Sequence, residues 1–353
     1  MIEPRRDLRL FDGYHSPQVD VGVRLNTNES PLPPPEKWVE DVAGLVREVR
    51  WNRYPDRSAS ELRRSLAEFH GVDTGMVFVA NGSNEVIQTI LLTFGGPERK
   101  ALVFEPTYQL HSHISRVTGT SVATARRDEE FLVGPDSVSE AIREHDPDLV
   151  FFCSPNNPTG RCEDPDAVER ALLEARGLVI VDEAYAEFAP VTWIDRVGSS
   201  DKLVVVRTFS KTWSMAAARL GYAVCPPEVV RHLEEVVLPY HLDSFKQKAG
   251  VLALRHVEEM RARVARIVEE RERLADAMTS SGAEVWPSEA NFLLFRPRGI
   301  EARVVWEGLL RRGVLVRDCT GWPGLPDCLR VTVGLPEEND AFVRALRDVT
   351  RDA

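Results

Sequence analysis

Short apolar runs alternate with longer polar stretches through the first two thirds of the chain. The runs occupy residues 76–80, 101–104, 149–153, 178–181, 203–206 and 222–225. Because they are continuously apolar, each predicts a strand that is buried on both faces, as in a parallel sheet covered by helices. The pattern therefore predicts an α/β fold with a mostly parallel sheet.

The pattern changes after residue 239. Between residues 247 and 277, apolar positions recur three and four apart among Arg and Glu, which predicts one long helix. Further strands are predicted at residues 290–295, 314–317 and 329–333, and a closing helix after Glu337. This part of the chain is typical of a smaller α+β unit.

The proline-rich segment 25–35 predicts an extended arm, because proline fixes φ and lacks an N–H donor. A helix is expected at residues 36–50. We therefore predict an N-terminal arm at 1–35, a large domain at 51–238, and a discontinuous small domain formed by 36–50 and 239–353.

The amino-acid composition argues against some classes of binding partner. The 353 residues include 44 Lys and Arg against 55 Asp and Glu, and this charge of −11 opposes binding to nucleic acid or to an anionic membrane. The five cysteines form no C-x-x-C pair. No secretory signal or transmembrane run is evident, so we expect a cytoplasmic protein with reduced thiols.

Two charged residues follow neighbouring strands of the predicted sheet. Asp182 follows the run 178–181, and Lys211 comes five residues after the run 203–206. Either residue alone is more often part of a solvated ion pair. Together they match the needs of a pyridoxal phosphate (PLP) enzyme, namely a lysine that forms a Schiff base and a carboxylate that keeps the pyridine nitrogen protonated.

A phosphate site is predicted beside them. The sequence N-G-S-N at 81–84 follows a strand and opens a helix, where backbone N–H groups can bind an anion. On its own this pattern is equally an ordinary helix N-cap. Ser210 and Arg219, close to Lys211 in sequence, can complete the site.

The ordered motifs resemble those of fold-type I PLP-dependent aminotransferases, and within them of histidinol-phosphate aminotransferases, over almost the whole chain. They are L-N-T-N-E at 25–29, N-R-Y-P-D at 52–56, S-P-N-N-P-T-G at 154–160, D-E-A-Y at 182–185, S-K at 210–211 and L-R-V-T-V-G at 329–334. The set of motifs is specific for this family because all of them occur in the same order along the chain.

The resemblance implies three catalytic residues. Lys211 would be the Schiff-base lysine and proton carrier, Asp182 would pair with the pyridine nitrogen, and Tyr185, with Asn157, would hold the ring hydroxyl. Tyr108 would stack on the ring. The residues assigned to the cofactor phosphate are Gly82, Ser83, Asn84, Ser210 and Arg219.

The resemblance also implies an assembly and a substrate. Tyr54 would reach the phosphate of the neighbouring subunit's cofactor, which implies a homodimer with shared active sites. Arg330 would bind the substrate carboxylate or phosphate, with Arg317 and Tyr14 at the distal end. The implied reaction is ping-pong amino transfer between histidinol phosphate and 2-oxoglutarate or glutamate, in histidine biosynthesis.

Departures from the family leave alternatives open. Ala217 and Ala218 stand where relatives usually have glycines, and Asp243 and Lys246 add charge near the expected substrate side. The alternatives are an aminotransferase for aromatic or specialised-metabolite amino acids, or a PLP-dependent decarboxylase or cyclase on the same scaffold.

Two weaker patterns have ordinary interpretations. His111 and His113 lack a third ligand for zinc, so we expect a surface helix and no metal. Cys319 and Cys328 flank a Trp322-containing loop that is a lid or a surface turn, and the reducing compartment disfavours a disulfide between them.

Overall fold

The structure, a computed structural model, describes Glu3, Leu8 and residues 17–352. Tyr14, predicted to contact the substrate, lies outside the described residues. No helix within them is both long enough and apolar enough to cross a bilayer. All five cysteines are free thiols.

The described residues form two sheets flanked by helices. The strands are β1 (Val23–Leu25), β2 (Val77–Ala80), β3 (Lys100–Glu105), β4 (Ser121–Arg126), β5 (Leu149–Cys153), β6 (Leu178–Asp182), β7 (Leu203–Thr208), β8 (Gly221–Val224), β9 (Glu284–Val285), β10 (Phe292–Arg296), β11 (Val314–Asp318) and β12 (Leu329–Thr332). The helices are α1 (Glu36–Glu48), α2 (Ser60–His70), α3 (Ser83–Phe94), α4 (Gln109–Val117), α5 (Pro135–His145), α6 (Pro165–Glu174), α7 (Ile194–Val197), α8 (Pro227–Val236), α9 (Ser244–Ala253), α10 (Val257–Thr279), α11 (Ala302–Arg311) and α12 (Pro336–Asp352).

The larger sheet has the strand order β2-β8-β7-β6-β5-β3-β4. Strands β7, β6, β5, β3 and β4 are parallel, whereas β8 is antiparallel to both β2 and β7. This confirms the predicted α/β fold with a mostly parallel sheet. The sequence did not predict β4, because this edge strand is half-exposed and has no continuous apolar run.

The smaller sheet has the order β1-β11-β12-β10-β9. Its first strand, β1, pairs in parallel with β11, although it belongs to the segment predicted as an arm. The other strand pairs are antiparallel. Side chains of both sheets, such as Phe104 and Phe292, belong to one continuous apolar core. The domain bounds given above stay a prediction.

The single long helix predicted at 247–277 is wrong. Helix α9 ends at Ala253, Leu254–His256 forms a 3₁₀ turn, and α10 starts at Val257. His256 has φ −111° and ψ 37°, outside the α-helical region. The two helices pack on different neighbours, α9 on α1 and α2, and α10 on α12 and β9. The apolar spacing continues through the turn, so the sequence pattern does not mark it.

Gly221, at the start of β8, allows a close backbone contact with the loop before α3. A Cβ atom at this position would lie 2.3 Å from the Ser83 nitrogen and 2.5 Å from the Gly82 carbonyl carbon. Both contacts are with backbone atoms, which cannot move aside as a flexible side chain can. Because residue 221 has no side chain, strand β8 can lie directly against the backbone at the N-terminus of α3.

Replacing Gly221 by alanine tests this contact. We expect Gly221→Ala to lower the free energy of unfolding by about 1–3 kcal/mol, because it overpacks a buried backbone contact. The matched control is Gly44→Ala in α1, where an added Cβ would meet nothing within 4 Å, and which should raise stability by about 0.5–1 kcal/mol. Urea denaturation measures both. An unchanged urea midpoint for Gly221→Ala would contradict the packing argument.

Candidate active site

A cavity of about 390 Å³ lies beyond the carboxyl ends of the central parallel strands. Its volume suits a small ligand. The predicted residues that line it are Ser83, Asn84, Tyr108, Asn157, Asp182, Tyr185, Ser210, Lys211, Arg219 and Arg330. Positions distant in sequence are thus brought to one site.

Lys211 comes three residues after β7. Its amine donates a hydrogen bond to the carbonyl oxygen of Thr27, at 3.0 Å. Desolvation, followed by repulsion from Arg330, lowers the pKa of Lys211 to about 7. A large fraction of the amine is therefore neutral near pH 7, as a nucleophile or a proton acceptor must be.

Asp182, the last residue of β6, is buried. One carboxylate oxygen accepts a hydrogen bond from the Ala184 N–H at 3.1 Å, and the other lies 2.9 Å from His111 Nε2. These two contacts hold the carboxylate in a single orientation.

His111 is fully buried on α4, and its ring stacks on Phe151 with centroids 5.1 Å apart. The surface helix expected for the H-x-H pair is therefore wrong at this position. His111 shares a buried helix face with Ile114 and Ser115, and this three-and-four spacing was the available signal. Its contact with Asp182 was not predicted.

The N-terminus of α3 and the Arg219 side chain form an anion cradle. The Glu85 and Val86 N–H groups donate to the Gly82 carbonyl oxygen at 3.1 and 3.3 Å. The Ser83 and Asn84 N–H groups precede the first helical hydrogen bonds, and Gly82 supplies no capping side chain. A Cβ on Gly82 would lie 2.8 Å from Arg219 Nη2, so the guanidinium occupies the space that the glycine leaves. Arg219 also donates to Ser210 Oγ at 3.3 Å. Backbone donors beside a guanidinium suit a phosphate group.

Tyr108 lies between the cradle and the buried acid. Its hydroxyl donates to Asn84 Oδ1 at 3.3 Å, and its ring meets that of His111 edge to face with centroids 5.4 Å apart. The half-buried ring forms part of the cavity wall. This position is compatible with the predicted stacking role.

Arg330 joins the two sheets at the cavity. It is buried, donates to Asn157 Oδ1, and donates to the Asn26 carbonyl oxygen at 2.9 Å. Because a guanidinium only donates, Asn157 must turn its oxygen toward Arg330 and its NH₂ group away. Arg330 Nε is buried and has no acceptor within the described part of the chain.

The arm before α1 forms a wall of the cavity that the sequence did not assign. The residues concerned are Asn26, Thr27, Asn28 and Glu29. They belong to the L-N-T-N-E motif, which carried the resemblance without a stated role. Asn26, Thr27 and Asn28 each make a hydrogen bond to a residue more than 150 positions away, and a local pattern cannot reveal such contacts.

Three predicted residues lie outside the cavity lining, namely Gly82 in the cradle, Arg317 and Tyr54. Arg317 is opposite Arg330 in the β11–β12 register, and its guanidinium is 5.6 Å from the Trp322 ring. Trp322 itself is buried in a small apolar cluster, so its side chain is not that of a surface turn. Tyr54 is 80% exposed and stacks on Tyr240 with centroids 4.5 Å apart.

The departures from the family pattern divide into two groups. Asp243 accepts from the Lys246 N–H at 2.9 Å as the N-cap of α9, and Lys246 Nζ contacts Asn81 Oδ1 at 2.7 Å. Neither residue lines the cavity. Ala217 does line it, as an exposed residue whose Cβ atom is not confined by the surrounding core.

The low pKa of Lys211 can be measured in the apoenzyme. With trace acetic anhydride, the neutral amine is labelled and the ammonium is not, so Lys211 labelling should rise with pH to a midpoint near 7. Lys37 is the internal control, because its hydrogen bond to Asp41 raises its pKa above 10.5. Peptide mass spectrometry reads both sites. A Lys211 midpoint above pH 9.5 would refute the assignment of a neutral amine.

Comparison with known proteins agrees with this geometry. Residues 20–346 match the family model for aminotransferase class I and II. A relative from Corynebacterium diphtheriae, named histidinol-phosphate aminotransferase, is 44% identical over 98% of this chain and 96% of its own. A relative of the same name from Frankia casuarinae is 45% identical over 97% and 89%.

A solved structure has the same fold. The histidinol-phosphate aminotransferase from Clostridium acetobutylicum superposes with a TM-score of 0.87 over 94% of this chain and 100% of that chain, at 23% identity. At this identity the structural similarity establishes the fold only. The match of residues 20–346 to the family model establishes the family. The chain belongs to the aminotransferase class I and II family.

Proposed function

We propose that the protein is a PLP-dependent aminotransferase that exchanges an amino group between histidinol phosphate and 2-oxoglutarate, a step of histidine biosynthesis. One observation carries the chemistry: a single cavity combines a lysine with a pKa of about 7, a buried carboxylate and an anion cradle. The near-full-length identity to histidinol-phosphate aminotransferases supports the substrate.

The residues present fit PLP. The N-terminus of α3 with Arg219 would hold the phosphate, and Asp182 would hold the pyridine nitrogen. Asn157, whose NH₂ group is turned away from Arg330, would donate to the ring oxygen. When bound, PLP supplies a protonated ring that stabilises negative charge at the substrate α-carbon.

Three side chains of the protein have separate roles in the proposed reaction, namely Asp182, Lys211 and Arg330. The buried Asp182 carboxylate, oriented by His111, would stabilise a proton on the ring nitrogen. The Lys211 amine would take the proton from the substrate α-carbon and pass it to the cofactor carbon that bears the transferred nitrogen. Arg330 contributes to keeping that amine neutral, because repulsion between the two cations lowers its pKa.

Two neighbouring guanidinium groups suit an anionic substrate. Arg330 lines the cavity, and Arg317 is next to it across the β11–β12 register. Guanidinium groups bind carboxylate and phosphate equally well through paired donors. We assign Arg330 to the carboxylate of glutamate or the phosphate of histidinol phosphate, and Arg317 to the distal end of the site.

The exposed aromatic residues support a homodimer. Tyr54 stacks on Tyr240 at the surface, and Trp51 and Leu238, close to them in sequence, are 69% and 75% exposed. Such exposure of large apolar side chains is typical of an interface. We propose that Tyr54 reaches the cofactor phosphate of a partner subunit, and that this dimer works in the cytoplasm.

Steady-state kinetics test the substrate. With 2-oxoglutarate as acceptor, kcat/KM for histidinol phosphate should exceed that for histidinol by about 10- to 100-fold, since the phosphate adds charge-assisted hydrogen bonds. Histidinol is the matched control because it lacks only the phosphate. Phenylalanine should react more slowly still.

Two outcomes would contradict the proposal. Equal kcat/KM for phenylalanine and histidinol phosphate would point to an aromatic aminotransferase. Release of carbon dioxide without formation of a keto acid would point to a decarboxylase.

Mixed dimers test the shared active site. Lys211→Ala and Tyr54→Ala homodimers should each have little activity. If Tyr54 acts in the partner's site, a mixed dimer holds one site with both residues intact, so an equal mixture regains about a quarter of wild-type activity. If Tyr54 acts within its own subunit, no site is intact and mixing restores nothing. Unfolding and refolding the two variants together ensures exchange, with refolded wild type as the control.

A further inference from the structure

Asn28 occupies a buried position between the two sheets. Its backbone is left-handed, with φ 54°, and its side chain is 1% exposed. Nδ2 donates to the Tyr185 hydroxyl at 3.0 Å, and Oδ1 accepts from Thr332 Oγ1 at 3.0 Å. The arm thus connects Tyr185, after β6, to Thr332 on β12.

The hydrogen bonds determine which way the Asn28 amide faces. Thr332 Oγ1 accepts from the Asn28 backbone N–H at 2.9 Å and has one proton to donate. With Oδ1 toward Thr332, that proton has an acceptor. In the reverse orientation, the buried Thr332 proton would have no acceptor among the contacts recorded for residues 17–352. The NH₂ group must therefore face Tyr185.

This orientation fixes the direction of the Tyr185 proton. An NH₂ group is only a donor, so the phenolic oxygen accepts from Asn28 and its own proton must point elsewhere. Tyr185 lines the cavity. Arg330 imposes the same kind of orientation on Asn157, whose oxygen it occupies.

We propose that Asn28, held by Thr332, is a positioning residue that makes Tyr185 a hydrogen-bond donor to the ring oxygen of bound PLP. This inference rests on the proposed function. Together with the NH₂ group of Asn157, the site then presents two donors to that oxygen and favours its anionic form.

The groups around Tyr185 leave the phenol protonated. Burial raises the pKa of Tyr185, as do the nearby Cys153 and Asp182, whereas Arg330 and the Asn28 hydrogen bond lower it. The Lys211 amine is 5.8 Å from the ring centroid. The net pKa is above its usual value, so Tyr185 keeps its proton to donate at neutral pH.

A pH titration of the visible absorbance of the PLP-bound protein, without substrate, tests this inference. A hydrogen-bond donor to the ring oxygen lowers the affinity of that oxygen for the proton that it shares with the Lys211 nitrogen. Losing the donor should therefore raise the absorbance midpoint. In Asn28→Asp, the carboxylate accepts from Tyr185 and turns its proton away from the cavity, so we expect an upward shift of about one pH unit, a tenfold change in proton affinity.

Thr332 variants separate orientation from charge. Thr332→Val adds no charge but lets the Asn28 amide turn over, so the midpoint should rise by about half a unit or more. Thr332→Ser keeps the hydroxyl and should restore the wild-type midpoint. A merely structural role would lower the melting temperature of Thr332→Val without moving the midpoint.

A double-mutant cycle gives the sharpest discrimination. In a Tyr185→Phe background, Thr332→Val should not move the midpoint further, because its effect runs through the Tyr185 proton. An equal shift in both backgrounds, or no shift from Thr332→Val alone, would overturn the inference while the aminotransferase assignment stands. A wild-type protein that gains no visible band with PLP would overturn both.

Discussion

The contact of Arg330 with Asn157 and the Asn26 carbonyl organises the site. A buried cation with only neutral acceptors is costly, and Arg330 Nε still lacks a partner within the described residues. The same guanidinium orients Asn157 and contributes to the low pKa of Lys211. One side chain thus fixes the orientation of the Asn157 amide and lowers the pKa of Lys211.

Local sequence patterns were sufficient to predict the site residues that follow strands. Lys211 and Asp182 were identified from apolar runs ending in charged residues, and the cradle from a strand, a glycine and a helix start. Such signals work because the carboxyl ends of parallel strands meet at one edge. The edge strand β4 lacked an apolar run, and His111 was placed at the surface because two histidines two positions apart suggested no buried partner.

Contacts made across the chain were beyond the reach of these patterns. Asn28 and Thr332 are 304 positions apart, and each looks like an ordinary polar residue in sequence. The break after α9 was equally hidden, because the apolar spacing continues through Leu254–His256. These features depend on which faces of the helices and strands pack together. A sequence pattern predicts such packing only where buried positions recur with a regular period.

The pairing of β1 with β11 has a consequence for biosynthesis of the protein. Residues 23–25 are synthesised long before their partners at 314–316. The segment that follows β1 supplies a wall of the cavity. During translation the larger sheet can form first, while β1 has no partner strand until β11 is made. A product that stops before β11 would contain Lys211 but lack the strand against which the segment with this wall is anchored.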